Sequence, residues 1–348
     1  MKTSRNFNFK GKRALVRCDF NVPLSEKGEI LDDFRIKVGI PTIKYLIKKR
    51  AKIILISHLG RPEGKFVEDL SLEPIKERLE KYLKKKIFGP MDCLSKETED
   101  FTKKMKNGEI LILENIRFYK GETENDEDFS KNLAKLGDVF LNDAFSVCHR
   151  DQASVSGITK FLPFFAGPNL ISEIENLSKI LKNPKRPLIA IIGGKKVEDK
   201  AKAIEKFSEI SDFVLVGNLV ADEIKKRKVK VKNLEKIIFP IMDEKMLDLD
   251  ERTIENFKER IKTARTIFWA GPLGKIEEEK YQNGTLEIAK AIIESKAFSV
   301  VGGGETLEFL NKFSLLDKFS FVSTGGGAML DFLAGEKMPG IVALKLWK

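Results

Sequence analysis

Apolar and polar positions follow two rhythms along this chain. Short β-branched runs read as buried strands: ALVRCDF, KIILIS, EILILEN and DVFLNDAF in the first half, and PLIAIIGG, FVLVGN, KIIFP, TIFWAGP, FSVVGGG and FSFVSTGGG in the second. Between them lie stretches with a helical period, such as DFRIKVGIPTIKYLIKKR, LEPIKERLEKYLKK, DEDFSKNLAKLG, DERTIENFKERIKTA and TLEIAKAIIES. Strand–helix alternation predicts parallel sheets with helices on both faces and right-handed crossovers. The expected fold class is α/β, with two doubly wound parallel-sheet, Rossmann-like domains joined by a hinge helix.

A chain of 348 residues is too long for one ordinary core, and ~100–200 residues per domain implies two. The boundary is expected after FLPFFAGPN. The next run, LISEIENLSKILKN, carries Leu170, Ile174, Leu177 and Leu181 on one helical face and is ended by Pro184 and Pro187. It reads as a linker helix over about 169–183. The domains are then 1–168 and 169–335, with a tail over 336–348. Sequence repeats and low-complexity segments are absent, and the Lys-rich stretch 225–236 comes nearest to one.

Composition narrows the function. With 42% hydrophobic and 33% charged residues, disorder is excluded. No apolar stretch approaches a membrane span, and FLPFFAGPNLI is short and broken by Pro163 and Pro168. The basic N-terminus lacks an apolar core, so no secretory signal is expected. Cys18, Cys93 and Cys148 then read as reduced, buried thiols. Two histidines and no CxxC pair argue against a zinc site. The net charge of +11 raises nucleic acid as a partner, but no binding signature accompanies it. A Lys-rich solvated surface explains the charge, and such a surface also suits small anionic substrates.

Ligands of open α/β sheets bind beyond the carboxyl ends of the strands, and there the two halves differ. In the first half those ends carry Asp19 and Asn21, then His58 and Arg61, then Glu114 and Arg117, then Asn142, Asp143, His149 and Arg150. Arg35 opens the first helical stretch. Four arginines gathered at one sheet edge repel one another unless an anion lies between them. Guanidinium forks suit carboxylate and phosphate. The competing reading is separate surface salt bridges, with Glu114 and Asp143 as partners. In the second half the strand ends are glycine: IIGGKKVEDK, LVGN, WAGPLG, VGGGETLEF and STGGGAML. Glycine lets the backbone approach a ligand, and a helix N-terminus offers free N–H groups. Neither GxxxxGK[ST] nor a GxGxxG opening a helix is present. Lys196 and Lys200 share a face if helical, and spacing alone leaves a polyphosphate pair and a solvated face equally open. A charged-anion half joined by a helix to a nucleotide-phosphate half suits phosphoryl transfer across a closable gap, which needs positioning and charge neutralisation rather than a covalent nucleophile.

GKRALVRCDFNVPL, DDFRIKVGIPTI, ISHLGRPEGK, LENIRFYKGE, DVFLNDAFSVCHRDQAS, GGKKVEDK, WAGPLGKIEEEK, VVGGGET and FVSTGGGAMLDFLAGEKMPGI occur in order. With them the chain resembles the phosphoglycerate kinases along nearly its whole length. That resemblance implies reversible phosphoryl transfer between ATP and 3-phosphoglycerate, giving ADP and 1,3-bisphosphoglycerate, with Mg²⁺. It also implies a glycolytic, cytoplasmic monomer, bound neither to nucleic acid nor to membrane, whose C-terminal tail returns to the N-terminal domain. By position, Asp19 and Asn21 take the substrate hydroxyl. His58, Arg61, Arg117 and Arg150 grip the distant phosphate, and Arg35 sits beside the reacting carboxyl. Arg35 and Lys196 neutralise the transferring phosphoryl group. Lys200 meets the nucleotide phosphates and Glu277 the ribose. The turn at Gly217 belongs to the nucleotide site. Gly302, Gly303, Gly304, Thr306, Gly325, Gly326 and Gly327 supply the phosphate cradle, with Gly304 and Gly327 at its catalytic end. Glu305 serves the metal.

Four features depart from the family pattern. Glu305 replaces the usual Asp, Ala270 replaces the Asn of WNGP, and Lys195 replaces the Ala of GGAKV. The turn Gly217-Asn218-Leu219-Val220 is reduced, and the segment after it is shorter than the family's. These departures frame an alternative reading: a family member that binds phosphoglycerate or nucleotide with weak turnover.

Overall fold

All ten runs expected to be strands are strands in the computed structural model, which describes residues 7–226, 228–229, 231–241 and 247–345. They are β1 (Arg13–Arg17), β2 (Lys52–Ile56), β4 (Ile110–Leu113) and β5 (Val139–Asn142) in the first half. In the second they are β7 (Leu188–Ile192), β8 (Phe213–Val216), β9 (Ile237–Ile238), β10 (Thr266–Ala270), β11 (Phe298–Gly302) and β12 (Phe321–Ser323). Two further strands, β3 (Phe88–Met91) and β6 (Phe164–Ala166), were not legible. Gly89 and Pro90 interrupt the first, and Pro163 precedes the second, so neither presents an unbroken apolar run. Both lie at the edges of their sheet, where the N–H that proline lacks is not needed.

The chain divides into two units, Met1–Ser172 with Lys337–Lys348, and Glu173–Glu336. Each holds one six-stranded sheet whose strands all pair in parallel. In the second unit the order is β12-β11-β10-β7-β8-β9. Counted within the unit, that is the 3-2-1-4-5-6 order of dinucleotide-binding sheets, with its reversal between β7 and β10. The first unit is ordered β3-β4-β2-β1-β5-β6, a different winding.

Both faces of the first sheet's four inner strands are buried, so those strands read as near-continuous apolar runs. Alternate residues enter opposite cores. Ala14, Val16, Ile53, Leu55, Ile110 and Ile112 pack into one. Leu15, Ile54, Ile56, Leu111 and Leu113 pack into the other. The helices cover these faces with residues at helical spacing. Glu251–Thr263, for example, is capped by Asp250 accepting from the Thr253 N–H, and buries Ile254, Phe257 and Ile261. Helix Pro168–Lys182 carries Pro168 in its first turn and contains the division between the units. Its buried stripe is Leu170, Ile174, Leu177 and Ile180, so Ile180 takes the place expected of Leu181, which stays half-buried. In the first unit, Gly340 of the short helix Pro339–Ala343 donates its N–H to the Cys148 carbonyl at 2.9 Å. No helix among the described residues is long and apolar enough to cross a membrane.

Candidate functional site

In the first unit the chemistry collects where β1, β2, β4 and β5 end. His58 follows β2 after Ser57 and is buried against Arg17, itself fully buried at the end of β1. An Arg17 terminal nitrogen lies 3.2 Å from His58 Nδ1. After β4, a tight turn held by Asn115 places Arg117, which donates to the Gly60 carbonyl at 2.9 Å. Arg117 Nε is buried with no hydrogen-bond partner among the described residues. Burial, and then the charges of Arg17, Arg117, Arg35 and Arg150, hold His58 well below its ordinary pKa. Burial, and then Arg17 and Arg150, push Arg117 down to about 10, against the pull of Glu122. Arg61 adds to this field. The four arginines read from the sequence therefore converge on one place, and Arg17 makes a fifth.

Pairing decides between the two readings of this cluster. Of these five arginines, only Arg35 has a carboxylate ion pair among the described residues, with Asp19. Glu114 accepts instead from Ser71 Oγ and the Leu72 N–H, each at 2.8 Å. Asp143 accepts from the Asn169 N–H and Nδ2, each at 2.8 Å, and burial raises its pKa to about 7. Neither carboxylate serves an arginine, so separate salt bridges do not account for the cluster. A buried, unpartnered guanidinium N–H amid like charges favours an anion. Asp19 and Asn21 stand at its rim. Asn21 Oδ1 accepts from the Gly60 N–H at 2.8 Å, and the Asn21 N–H donates to Asp19 at 3.2 Å.

In the second unit, the crevice at the reversal point lies beyond β7 and β10. Gly193 N–H donates to the Ala270 carbonyl at 2.9 Å. A Cβ on Gly271, whose φ is +90°, would sit 2.0 Å from the Gly193 carbonyl oxygen, so these two turns meet only as glycines. Thr306, buried, accepts from the Gly271 N–H at 3.0 Å and ties in the turn after β11. There Gly302 ends the strand, Gly303 turns at φ +101°, and Gly304 opens a helix that runs to Lys312. Gly325 and Gly326 lead from β12 into a helix starting at Gly327. Gly304 and Gly327 are both exposed, so two helix N-termini offer amides.

Beside these turns is a cavity of about 320 Å³, lined by Gly194, Lys195, Gly217, Leu273, Glu277 and Glu305 among others. Lys196 and Lys200 do not share a helix face. Lys196 lies in the turn, Lys200 ends the tight turn Glu198–Lys200, and the helix starts only at Ala201. The two still meet, because Lys200 Nζ donates to the Lys196 carbonyl at 3.3 Å. Burial lowers the Lys200 pKa, and the charge of Glu305 opposes that. Glu277 is paired with Lys195, which holds its carboxyl below the usual range. No group of three metal-binding side chains occurs among the described residues. Glu305, one of two carboxylates whose charge reaches Lys200, suits an ion brought in on a nucleotide's phosphates, since Mg²⁺ in such sites keeps waters and few protein ligands.

An arginine-lined anion site in one parallel α/β unit and glycine turns with lysines in another define a class, the two-unit α/β phosphotransferases. Comparison with known proteins gives the family. The phosphoglycerate kinase model matches residues 4–234 and 218–336. A phosphoglycerate kinase of Borrelia garinii subsp. bavariensis is 40% identical, over 99% of both chains. One of Dictyoglomus turgidum is 40% identical over 98% of this chain and 97% of its own. The solved structure from Pyrococcus horikoshii superposes with a TM-score of 0.89 at 32% identity, over 99% of both chains. That from Coxiella burnetii gives 0.83 at 35%, over 99% of this chain and 98% of the other. The chain belongs to the phosphoglycerate kinase family. It is a kinase, transferring a phosphoryl group reversibly between ATP and 3-phosphoglycerate. Alignments over 391 positions cannot be filled by 348 residues, and the two pieces of the family match overlap over 218–234, where the sequence reads as shortened.

Proposed function

We propose that the first unit holds 3-phosphoglycerate and the second the nucleotide. His58, Arg61, Arg117 and Arg150 grip the substrate's phosphate, with Asp19 and Asn21 on its hydroxyl. The observation that carries this is the unpartnered, buried Nε of Arg117 inside a cluster of five arginines. Arg35 and Lys196 take the charge of the group in flight, and Lys200 takes that of the nucleotide phosphates. Gly304 and Gly327 supply backbone amides to the phosphates, together with Gly302, Gly303, Gly325 and Gly326. Thr306 acts from below the cradle by fixing Gly271. Glu277 meets the ribose after releasing Lys195, and Gly217 lines the base side. Glu305, together with the nucleotide's phosphates, would hold Mg²⁺, which would supply neutralisation of phosphate charge. The resemblance to the family supports a cytoplasmic monomer.

A coupled assay with 3-phosphoglycerate and either ATP or GTP tests the division of labour. Arg117→Ala is expected to raise the KM for 3-phosphoglycerate and leave that for nucleotide unchanged. Lys200→Ala is expected to do the reverse. Equal effects of both variants on both KM values would refute the assignment.

A further inference from the structure

Behind the anion site lies a buried polar chain that the transfer reaction does not use directly. Glu122, fully buried, accepts from the Ser154 N–H at 2.8 Å and from Ser154 Oγ at 2.7 Å. Ser154 Oγ accepts in turn from Arg17 Nε at 2.9 Å. One terminal nitrogen of Arg17 donates to the Cys18 carbonyl at 2.6 Å, and the other faces His58 Nδ1 at 3.2 Å. Every link has one possible direction. A guanidinium only donates, so His58 Nδ1 must accept, and the ring's single proton must sit on Nε2. An imidazolium would set N–H against N–H in a buried place. Arg35, Arg117 and Arg150 add their charges there, and the carboxylates that act on Arg17 are Glu122 and then Asp19.

We infer that Arg17 is a positioning residue that fixes His58 as the neutral Nε2–H tautomer, with Ser154 and Glu122 bracing its guanidinium from behind. The ring then offers an anion a hydrogen-bond donor without adding a sixth positive charge to five arginines. Glu122 keeps the innermost guanidinium compensated. Because the phosphate gripped here does not react, the chain's effect falls on binding. The inference rests on the substrate reading of this cluster, and the experiment separates the two.

The whole protein has two histidines, so a long-range ¹H–¹⁵N spectrum resolves each ring, with His58→Gln giving the assignment. The expected result is a protonated Nε2 and a bare Nδ1 from about pH 5 to 8. A proton on Nδ1, or on both nitrogens near neutrality, overturns the inference. In the double variant Arg17→Met/Glu122→Gln, which removes both buried charges together, the tautomers are expected to mix. A pure Nε2–H ring there shows that Arg17 does not set it. Ser154→Ala is expected to raise the KM for 3-phosphoglycerate about 3–10-fold with kcat within about twofold. An unchanged KM removes Ser154 and Glu122 from the chain. Adding 3-phosphoglycerate to the unsubstituted protein is expected to shift His58 Nε2. If it does not, the substrate reading fails while the tautomer result stands by itself.

Discussion

His58 enters a basic field as a neutral ring, and its stability effect has a definite sign. Its folded pKa lies well below the ordinary 6.5, so an unfolded chain takes up a proton that the folded one refuses. That contribution is complete above about pH 6.5 and is lost as pH falls below it, by up to about 1.4 kcal/mol per pH unit. His58→Gln has no such group. The stability difference between the two proteins, from urea unfolding at several pH values, is expected to turn against the parent below pH 6.5. A difference that stays constant from pH 5 to 8 would contradict the buried neutral ring. On the other side of the reaction, Lys196→Ala is expected to cost on the order of 10²–10³ in kcat, as for other single charge-stabilising groups. Full activity in a rapid-mixing assay would remove Lys196 from the chemistry. The sequence named both residues, yet it did not reveal Arg17. Its partners His58 and Ser154 lie 41 and 137 positions away, beyond the reach of any local pattern in ALVRCDF.

At the scale of elements, the glycine turns owe their placement to neighbours that no local motif announces. Glu173, buried on helix Pro168–Lys182, accepts from the Thr324 N–H at 2.7 Å and Oγ at 3.1 Å. It thereby anchors the turn that leads to Gly325, Gly326 and Gly327. Glu173→Ala leaves that N–H without its acceptor and is expected to cost about 1–3 kcal/mol of stability. It should also raise the nucleotide KM more than the 3-phosphoglycerate KM. Equal change in the two constants would mean that the turn does not serve the nucleotide. The strands were legible because both faces of each sheet are buried. The edge strands Phe88–Met91 and Phe164–Ala166 were not, because pairing on one side only tolerates the prolines that break the pattern elsewhere.

Across the whole molecule, the net charge of +11 meets two anionic substrates. Exposed charge is screened within ~10 Å at 0.1 M salt, so the KM for 3-phosphoglycerate is expected to rise with ionic strength. A KM unchanged between low salt and 0.3 M KCl would confine recognition to the buried arginines. The winding of the first sheet, β3-β4-β2-β1-β5-β6, was outside the reach of the sequence. Strand–helix alternation gives parallel pairing and handedness, but several strand orders satisfy both equally.

By itself the amino-acid order determined the α/β class, the ten strands written as apolar runs, the helix that follows FLPFFAGPN, and which polar side chains and glycines come after the strand ends. Those properties depend on neighbours a few positions apart, whose spacing is written directly in the chain. Tertiary structure alone decided which carboxylate meets which cation: Asp19 with Arg35, Glu277 with Lys195, and Glu122 behind Arg17 by way of Ser154. Burial then set how those groups hold their protons, because desolvation and long-range contacts arise only once distant segments pack together.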